Sequence, residues 1–233
     1  MRNLVIALVL LMATPVLAED VGVRRITVVG QGSVEVVPDM ATVSMGVISE
    51  AKTGAAAMAQ NSDTLAEVLK QLSDAGIKAR DVQTSNLSLS PRWDNKLFSS
   101  SGHRKITGFV ASNTLTVRVR DLDKLGEVLD AVVQNGANNF NGLHFGLQEP
   151  QPAQDAARQA AVADAQRKAQ LYAAAAGVTL GDVLTISEAA GGRGVSPVMM
   201  TMEADMRQSR AVPVSQGELT IGASITMVYA ISN

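Results

Sequence analysis

Residues 106–147 constrain the fold most, because they join a strand, a helix and a second strand in one uninterrupted block. In the first part of this block, apolar and polar side chains alternate with the two-residue period of a half-buried antiparallel strand. The apolar face of that strand consists of Phe109, Ala111, Leu115, Val117 and Val119. Asp121 then provides a predicted N-cap, and apolar residues recur at helical spacing until Gly136, where a left-handed stop is expected. Residues 140–147 predict the returning strand.

The same order of helix, glycine and strand occurs three times along the chain, with the glycines at Gly76, Gly136 and Gly177. Over residues 41–147 the predicted order is strand, helix, strand, strand, helix, strand, which is the split βαβ arrangement of a ferredoxin-like sheet. Residues 219–231 alternate most clearly and predict a last strand that closes the sheet. We therefore predict an α+β fold with an antiparallel or mixed sheet and helices packed on one face.

Residues 26–48 contain two alternating segments joined by a Pro38-Asp39 turn, which predicts an antiparallel hairpin. Gly30 and Gly32 are expected to mark a bulge or bend in its first strand. A phosphate-binding loop is excluded there, because a strand and a turn follow the glycines where such a loop needs a helix.

Two later segments predict further packed elements. A strand over residues 82–90 is expected to point Leu87 and Leu89 inward. Glu149 and Pro150 are expected to open a third, alanine-rich helix that can lie close to its neighbour. The predicted buried face of this helix consists of Val162, Ala165, Ala169, Tyr172, Ala173 and Ala176.

The expected mature chain, residues 19–233, is one domain or two closely packed halves, with residues 191–216 as a long irregular loop. The sequence contains no cysteine, which excludes disulfides, a thiolate nucleophile and a thiolate metal site. Its net charge of −2 argues against nucleic acid or an anionic membrane as a partner. Beyond the N-terminus no run reaches the roughly 18 apolar residues of a transmembrane helix, so any association with the envelope would be peripheral.

No stretch of the sequence has the spacing of a nucleophile elbow, a zinc motif or a phosphate-binding loop. The two histidines, His103 and His144, are isolated. Carboxylates near predicted turns and strand ends show no pairing pattern; they are Glu35, Asp39, Glu50, Asp81 and Asp121. We therefore predict a protein without catalytic residues or a cofactor. A cryptic hydrolase remains an alternative, because carboxylates that folding brings together cannot be recognised in one sequence.

A methionine cluster lies in the predicted loop and consists of Met199, Met200, Met202 and Met206. Methionine thioethers can ligate Cu(I) or absorb oxidant. No histidine lies nearby to complete a metal site, and methionine commonly fills irregular gaps, so we expect no metal there. A periplasmic module that binds metal or a small ligand through this loop remains an alternative function.

Residues 93–105 form a predicted polar loop that nevertheless carries Trp93, Leu97 and Phe98. These side chains could fold back over the end of the sheet. They are also candidates for the interface of a homo-oligomer, even of a closed ring, because long strands leave edges that must be paired or protected.

Three phrases carry a resemblance to a known family: residues 26–47, residues 76–91 and residues 106–145. In these phrases the chain resembles the SIMPL-domain family of bacterial periplasmic immunogenic and outer-membrane-associated proteins. The resemblance implies an α+β SIMPL-type fold, a place in the cell envelope and a role in envelope or oxidative-stress protection. It implies no catalytic residues.

The first 18 residues have the composition of a secretory signal peptide, with Arg2 ahead of a short apolar core and Val16-Leu17-Ala18 at its end. We predict cleavage between Ala18 and Glu19 and recovery of the mature protein in the periplasm. N-terminal sequencing of the protein from fractionated cells measures both. Intact Met1 on protein held in the inner membrane would contradict the prediction.

Overall fold

The computed structural model describes residues 24–94, 105–188, 196–198 and 214–233. Within these residues the chain forms two antiparallel sheets and three α-helices, so the predicted α+β class is confirmed. The strands are β1 (Arg25–Val36), β2 (Met40–Ala51), β3 (Val82–Trp93), β4 (Ile106–Val119), β5 (Asn139–Gly146), β6 (Thr179–Glu188), β7 (Ser196–Val198) and β8 (Glu218–Ser232). The helices are α1 (Gly54–Asp74), α2 (Leu125–Gln134) and α3 (Gln151–Ala176). Single 3₁₀ turns at Ala79–Asp81 and Leu122–Lys124 precede β3 and α2.

The first sheet has the strand order β3-β4-β2-β5, with every neighbouring pair antiparallel. This is the order of a ferredoxin-like sheet, as the sequence pattern predicts. Both α1 and α2 pack on one face, and their apolar stripes share one core with the central strands. The largest buried side chains of that core are Met45, Leu72, Leu115 and Leu125, together with Val43, Val68, Val117 and Val132.

The second sheet has the order β1-β8-β6, and β7 also pairs with β8. The predicted last strand, β8, lies in the centre of this sheet. It buries the apolar side chains on one of its faces, among them Ile221, Ile225, Met227 and Tyr229. A separate core forms between this sheet and α3. β7 falls within the predicted irregular loop of residues 191–216.

Gly30 and Gly32 of β1 lie directly under α3. A Cβ added at Gly30 would overlap the carbonyl oxygen of Ala161, and one at Gly32 would overlap that of Ala157. The register of β1 with β8 runs from Arg25 to Val36 without a shift, so the predicted bulge is wrong. The glycines instead allow the helix backbone to approach the strand closely, because neither residue carries a side chain.

The alanine-rich face of α3 consists of Ala157, Ala161, Ala165, Ala169 and Ala173, all of which are buried. Their spacing of four residues places them along one side of the helix. Tyr172 and Ala176, which were also predicted for this face, are exposed. Tyr172 lies just outside a contact too narrow for a large ring.

The predicted hairpin between β1 and β2 is wrong. β1 pairs with β8, whereas β2 pairs with β4 and β5, so the Pro38-Asp39 turn carries the chain from one sheet to the other. Each strand buries its apolar face in a different core, as Val28 and Val43 show. Two-residue alternation identifies a buried face but does not identify the partner strand.

β3 is one of the two edge strands of the first sheet, and this position corrects a second prediction. Leu87 and Leu89 were expected to face inward, yet their exposed fractions are 54% and 46%. Opposite them on β4 lie Asn113 and Ala111, which are buried. The helices therefore cover the centre of the sheet and leave the side chains of its edge accessible.

The ends of the helices follow the predicted glycine stops. Gly76, Gly136 and Gly177 follow α1, α2 and α3 with φ values of +85°, +106° and +69°, a region that glycine occupies without strain. Asp121 occupies the N-cap position of the 3₁₀ turn before α2, as predicted, but its side chain makes no capping hydrogen bond and pairs with Lys124 at 3.4 Å.

We expect Gly30→Ala to lower the free energy of unfolding by about 1–3 kcal/mol, because the added methyl group forces α3 away from β1. Gly146→Ala is the matched control, since an added Cβ there meets only Met40 Cε at 3.9 Å and φ is not positive. Urea unfolding followed by circular dichroism measures both variants. Equal midpoints for the two would contradict the close-packing explanation.

Candidate functional site

A pocket of about 220 Å³ lies where the end of α1, the end of β4 and the start of α2 meet. Its charged lining consists of Lys78, Arg118, Arg120, Lys124, Asp81 and Asp121. Four cations against two carboxylates give it a net positive charge, although the whole chain is negative. We call this feature the basic pocket.

The chain reversal after α1 builds one wall of the basic pocket. Gly76 takes a positive φ, and the amide of Ile77 donates back to the carbonyl of Leu72 at 2.9 Å. The amide of Asp81 then donates to the carbonyl of Lys78 at 2.8 Å and closes a 3₁₀ turn. These bonds bring Lys78 and Asp81 next to the last residues of β4.

Asp81 and Arg120 form the central ion pair of the pocket. Arg120 Nε donates to both carboxylate oxygens at 3.0 Å, and Nη2 donates to Oδ1 at 2.7 Å. The Asp81 side chain is only 4% exposed. Hydrogen bonds from Arg120 lower the pKa of Asp81 against the opposing effect of burial, and the charges of Arg120, Arg80 and Arg118 add to the lowering. The same hydrogen bond raises the pKa of Arg120.

Arg120 also links this pair to the far side of the sheet. Its Nη1 donates to Gln148 Oε1 at 3.2 Å, and Gln148 bonds to Asp39 through its backbone amide at 2.7 Å and its side-chain amide at 3.0 Å. Residues before β2, before β3, after β4 and after β5 are thereby tied together. Arg120 and Asp81 consequently act as a structural clamp on this end of the sheet.

Arg118 and Lys78 differ from Arg120. Neither side chain makes a hydrogen bond or ion pair with another described residue, and both are exposed. Lys124 is held only by Asp121 at 3.4 Å, with both side chains more than half exposed, a contact of little energetic value. The basic pocket therefore presents cations whose donors are free to bind an anion.

The lining of the basic pocket does not have the groups of a catalytic site. It includes no serine, threonine or histidine, and both oxygens of Asp81 are occupied by Arg120. A carboxylate with a lowered pKa is also a weak general base at neutral pH. The positive charge of this arrangement is suited to binding an anion.

Four of the carboxylates singled out from the sequence have a hydrogen-bonding or ionic partner, and two of them, Asp81 and Asp121, line the basic pocket. Glu50 pairs with Arg92, Asp39 accepts from Gln148, Asp81 from Arg120, and Asp121 pairs with Lys124. Glu35 lies on β1 opposite Thr220. Within the described part of the chain, no group of three or more acidic or histidine side chains could hold a metal ion.

The other predicted site residues are only partly within the described structure. Trp93 is the last residue of β3, not a loop residue; it pairs with Ile106 and is 44% exposed. His144 is exposed on β5 opposite Thr42. Several residues lie outside the described residues: Leu97, Phe98 and His103, the methionines Met199, Met200, Met202 and Met206, and the cleavage-site residues Ala18 and Glu19.

Sequence reasoning missed Lys78, Arg118 and Arg120. On β4 the two arginines alternate with buried valines and look like an ordinary solvated face. The only sequence signal for a basic site was the pair Arg118 and Arg120, which lie on the same side of the chain at the end of β4 and just after it. Their relation to Asp81, 39 residues earlier than Arg120, depends on the pairing of β3 with β4.

We expect Asp81→Asn to cost about 1–3 kcal/mol of stability at pH 7, because Arg120 loses a charged acceptor in a mostly buried pair. The lowered pKa means that this stabilisation is complete above about pH 4 and is lost as the pH falls through the folded-state pKa. The gap between wild type and variant should therefore narrow below pH 4. Chemical unfolding across pH 2–7 measures it.

Asp121→Asn is the matched control for this experiment, since that carboxylate lines the same pocket but is 55% exposed. It should change stability by less than about 0.5 kcal/mol at pH 7. Curves for Asp81→Asn and wild type that stay parallel down to pH 2 would show that the ion pair does not have the inferred role.

Among the described residues, no helix is long and apolar enough to span a membrane. The family model for SIMPL, protein of unknown function (DUF541), matches residues 26–229. The 26 kDa periplasmic immunogenic protein of Brucella melitensis biotype 1 is 36% identical over 217 residues, which cover 89% of this chain and 84% of that protein. The uncharacterized protein YggE of Escherichia coli (strain K12) is 32% identical over 196 residues, 84% of this chain and 76% of that protein. The resemblance drawn from the sequence is confirmed, and the chain belongs to the SIMPL family.

Proposed function

We propose that the chain is an exported protein of the bacterial cell envelope that works by assembling with copies of itself and not by catalysis. The exposed apolar edge of β3 carries this proposal. The predicted signal peptide and the periplasmic relatives of Brucella support export. We further propose that such an assembly protects the envelope or protects against oxidative stress, the role implied by the resemblance noted in the sequence.

β3 is a long edge strand with little protection. It has 12 residues, of which only Arg92 is charged. Leu87, Leu89 and Trp93 are each more than 40% exposed, and Ile106, the partner of Trp93, is 42% exposed. Edge strands of soluble proteins are usually short, charged or covered, because a long apolar edge attracts another chain. A second copy of the protein is the simplest cover.

The contrast with β1, an edge of the second sheet, strengthens this inference. Lys168 of α3 donates to the backbone carbonyl of Val29 at 2.9 Å, and Asp164 accepts from the backbone amide of Gln31 at 3.0 Å. Two backbone groups in the middle of β1 are thus occupied by side chains of the same molecule. β3 has no comparable cover among the described residues.

The side chains of β3, more than its backbone, would form the contact. Pro91 has no amide hydrogen, and register shifts between Thr84 and Asn86 and at Trp93 interrupt regular pairing. A partner strand could therefore add to only a short central part of β3. Leu87 and Leu89 lie in that central part. The outer strand β6 offers a second apolar surface, where Val183, Leu184 and Ile186 are exposed.

We expect the mature wild-type protein to be a homo-oligomer and the double variant Leu87→Lys/Leu89→Lys to shift to smaller species, because two charges would be buried in the contact. Leu171→Lys is the matched control: Leu171 is 57% exposed and lies on α3. Size exclusion with light scattering gives the masses, and circular dichroism verifies the fold.

A second double variant tests the end of β3 and the loop that follows it separately from the centre of β3. Trp93→Ser/Phe98→Ser should also reduce the oligomer if those side chains are anchors worth about 2 kcal/mol each. A wild-type mass of one chain, at or below 24.4 kDa, would refute self-assembly. If the mass of the oligomer is unchanged in both double variants, then β3 and the loop that follows it do not form the contact.

A further inference from the structure

We propose that the basic pocket binds a small organic anion, a carboxylate or phosphate compound whose charged group lies between Arg118 and Lys78. The pocket brings together Lys78, Arg118, Arg120 and Lys124 from three separate segments of the chain. Only Arg120 is fully engaged, through its bonds to Asp81 and Gln148. The remaining cations are the part of the pocket that a ligand can use.

Grouping these cations has an energetic cost that a bound anion would remove. Arg118 lies two residues from Arg120 on the same strand, and Lys78 lies three residues before Asp81. Like charges at short range repel, and solvent weakens but does not abolish the repulsion between exposed side chains. Asp81 does not neutralise all of them, because three hydrogen bonds commit it to Arg120. The pocket therefore retains positive charge in a concave site, where the field is focused.

The chemistry of the side chains selects the type of anion. A guanidinium group offers a planar pair of donors that matches the two oxygens of a carboxylate or phosphate, and an ammonium group adds a point charge. Arg118 provides the first group, and Lys78 and Lys124 provide the second.

The size and the apolar part of the lining limit the ligand further. A volume of about 220 Å³ is at or below the small end of ligand pockets, so it suits a compound of a few carbon atoms. Ile77, Val119 and Val128 form an apolar wall beside the charges. A short dicarboxylate or a phosphate monoester fits both features, whereas a nucleotide or a polymer does not.

Isothermal titration of the mature protein at low ionic strength tests this site, with succinate and inorganic phosphate as the two probes and choline chloride as the cation control. We expect at least one anion to bind with one site per chain. Arg118→Gln and Lys78→Gln should each weaken that binding about tenfold or more, because each removes a charged hydrogen-bond donor.

Arg25→Gln is the matched control, since Arg25 is an exposed arginine on β1 in the other sheet. It should leave the dissociation constant unchanged. The Leu87→Lys/Leu89→Lys variant should also bind normally, which separates this site from self-assembly. Preference for succinate identifies a carboxylate site and preference for phosphate a phosphate site. Absence of binding by both anions, or equal loss in Arg118→Gln and Arg25→Gln, would overturn the proposal.

Discussion

The close approach of α3 to β1 is the contact on which the second sheet depends. Gly30 and Gly32 leave no side chain between strand and helix, and the buried alanines of α3 fill the remaining space. A helix held this close can reach the strand edge with its own side chains. Asp164 and Lys168 therefore bond to the backbone of β1 at Gln31 and Val29. The contact between α3 and β1 therefore forms part of the core of the second sheet and also protects the edge strand β1.

The first sheet is organised differently, around large aliphatic side chains and a small number of buried polar bonds. Asn61 of α1 is almost fully buried and donates to the carbonyls of Val47 and Ala111 at 2.8 and 3.2 Å. At the edge of β2, the Asn138 side chain bonds to both backbone groups of Ile48. Ile48 lies beyond the pairing of β2 with β5, which ends at Gly46, so the Asn138 amide satisfies backbone groups that β5 does not reach. At the other end of the sheet, the Asp81–Arg120 ion pair joins the turn before β3 to the residue that follows β4.

Both proposed functions depend on side chains that the packing and the polar network of the first sheet leave without partners among the described residues. The helices cover the centre of the first sheet, which leaves the apolar side chains of β3 accessible for another copy of the chain. The polar network fixes Arg120 but not Arg118 or Lys78, which leaves positive charge facing a pocket. The two surfaces are made by different residues. Assembly and anion binding can therefore be separated by mutation.

Much of the local structure follows from the sequence, because it depends on neighbours within a few residues. Two-residue alternation identifies β4 and β8, the helical spacing of apolar residues identifies α2, and the glycines after each helix mark its end. The order of elements from β2 to β5 also predicts the ferredoxin-like sheet, since a short connection leaves few topologies open.

Other features depended on contacts between distant parts of the chain. Alternation in β1 shows that one face is buried but not that Arg25 lies opposite Ala230. The exposure of Leu87 depends on the position of β3 at the edge of the sheet. The bond between Asp81 and Arg120 depends on the pairing of β3 with β4. No local sequence pattern could therefore predict the candidate pocket. The sequence determined which segments form strands and helices, and the tertiary structure alone decided their partners, because partner choice is set by long-range packing.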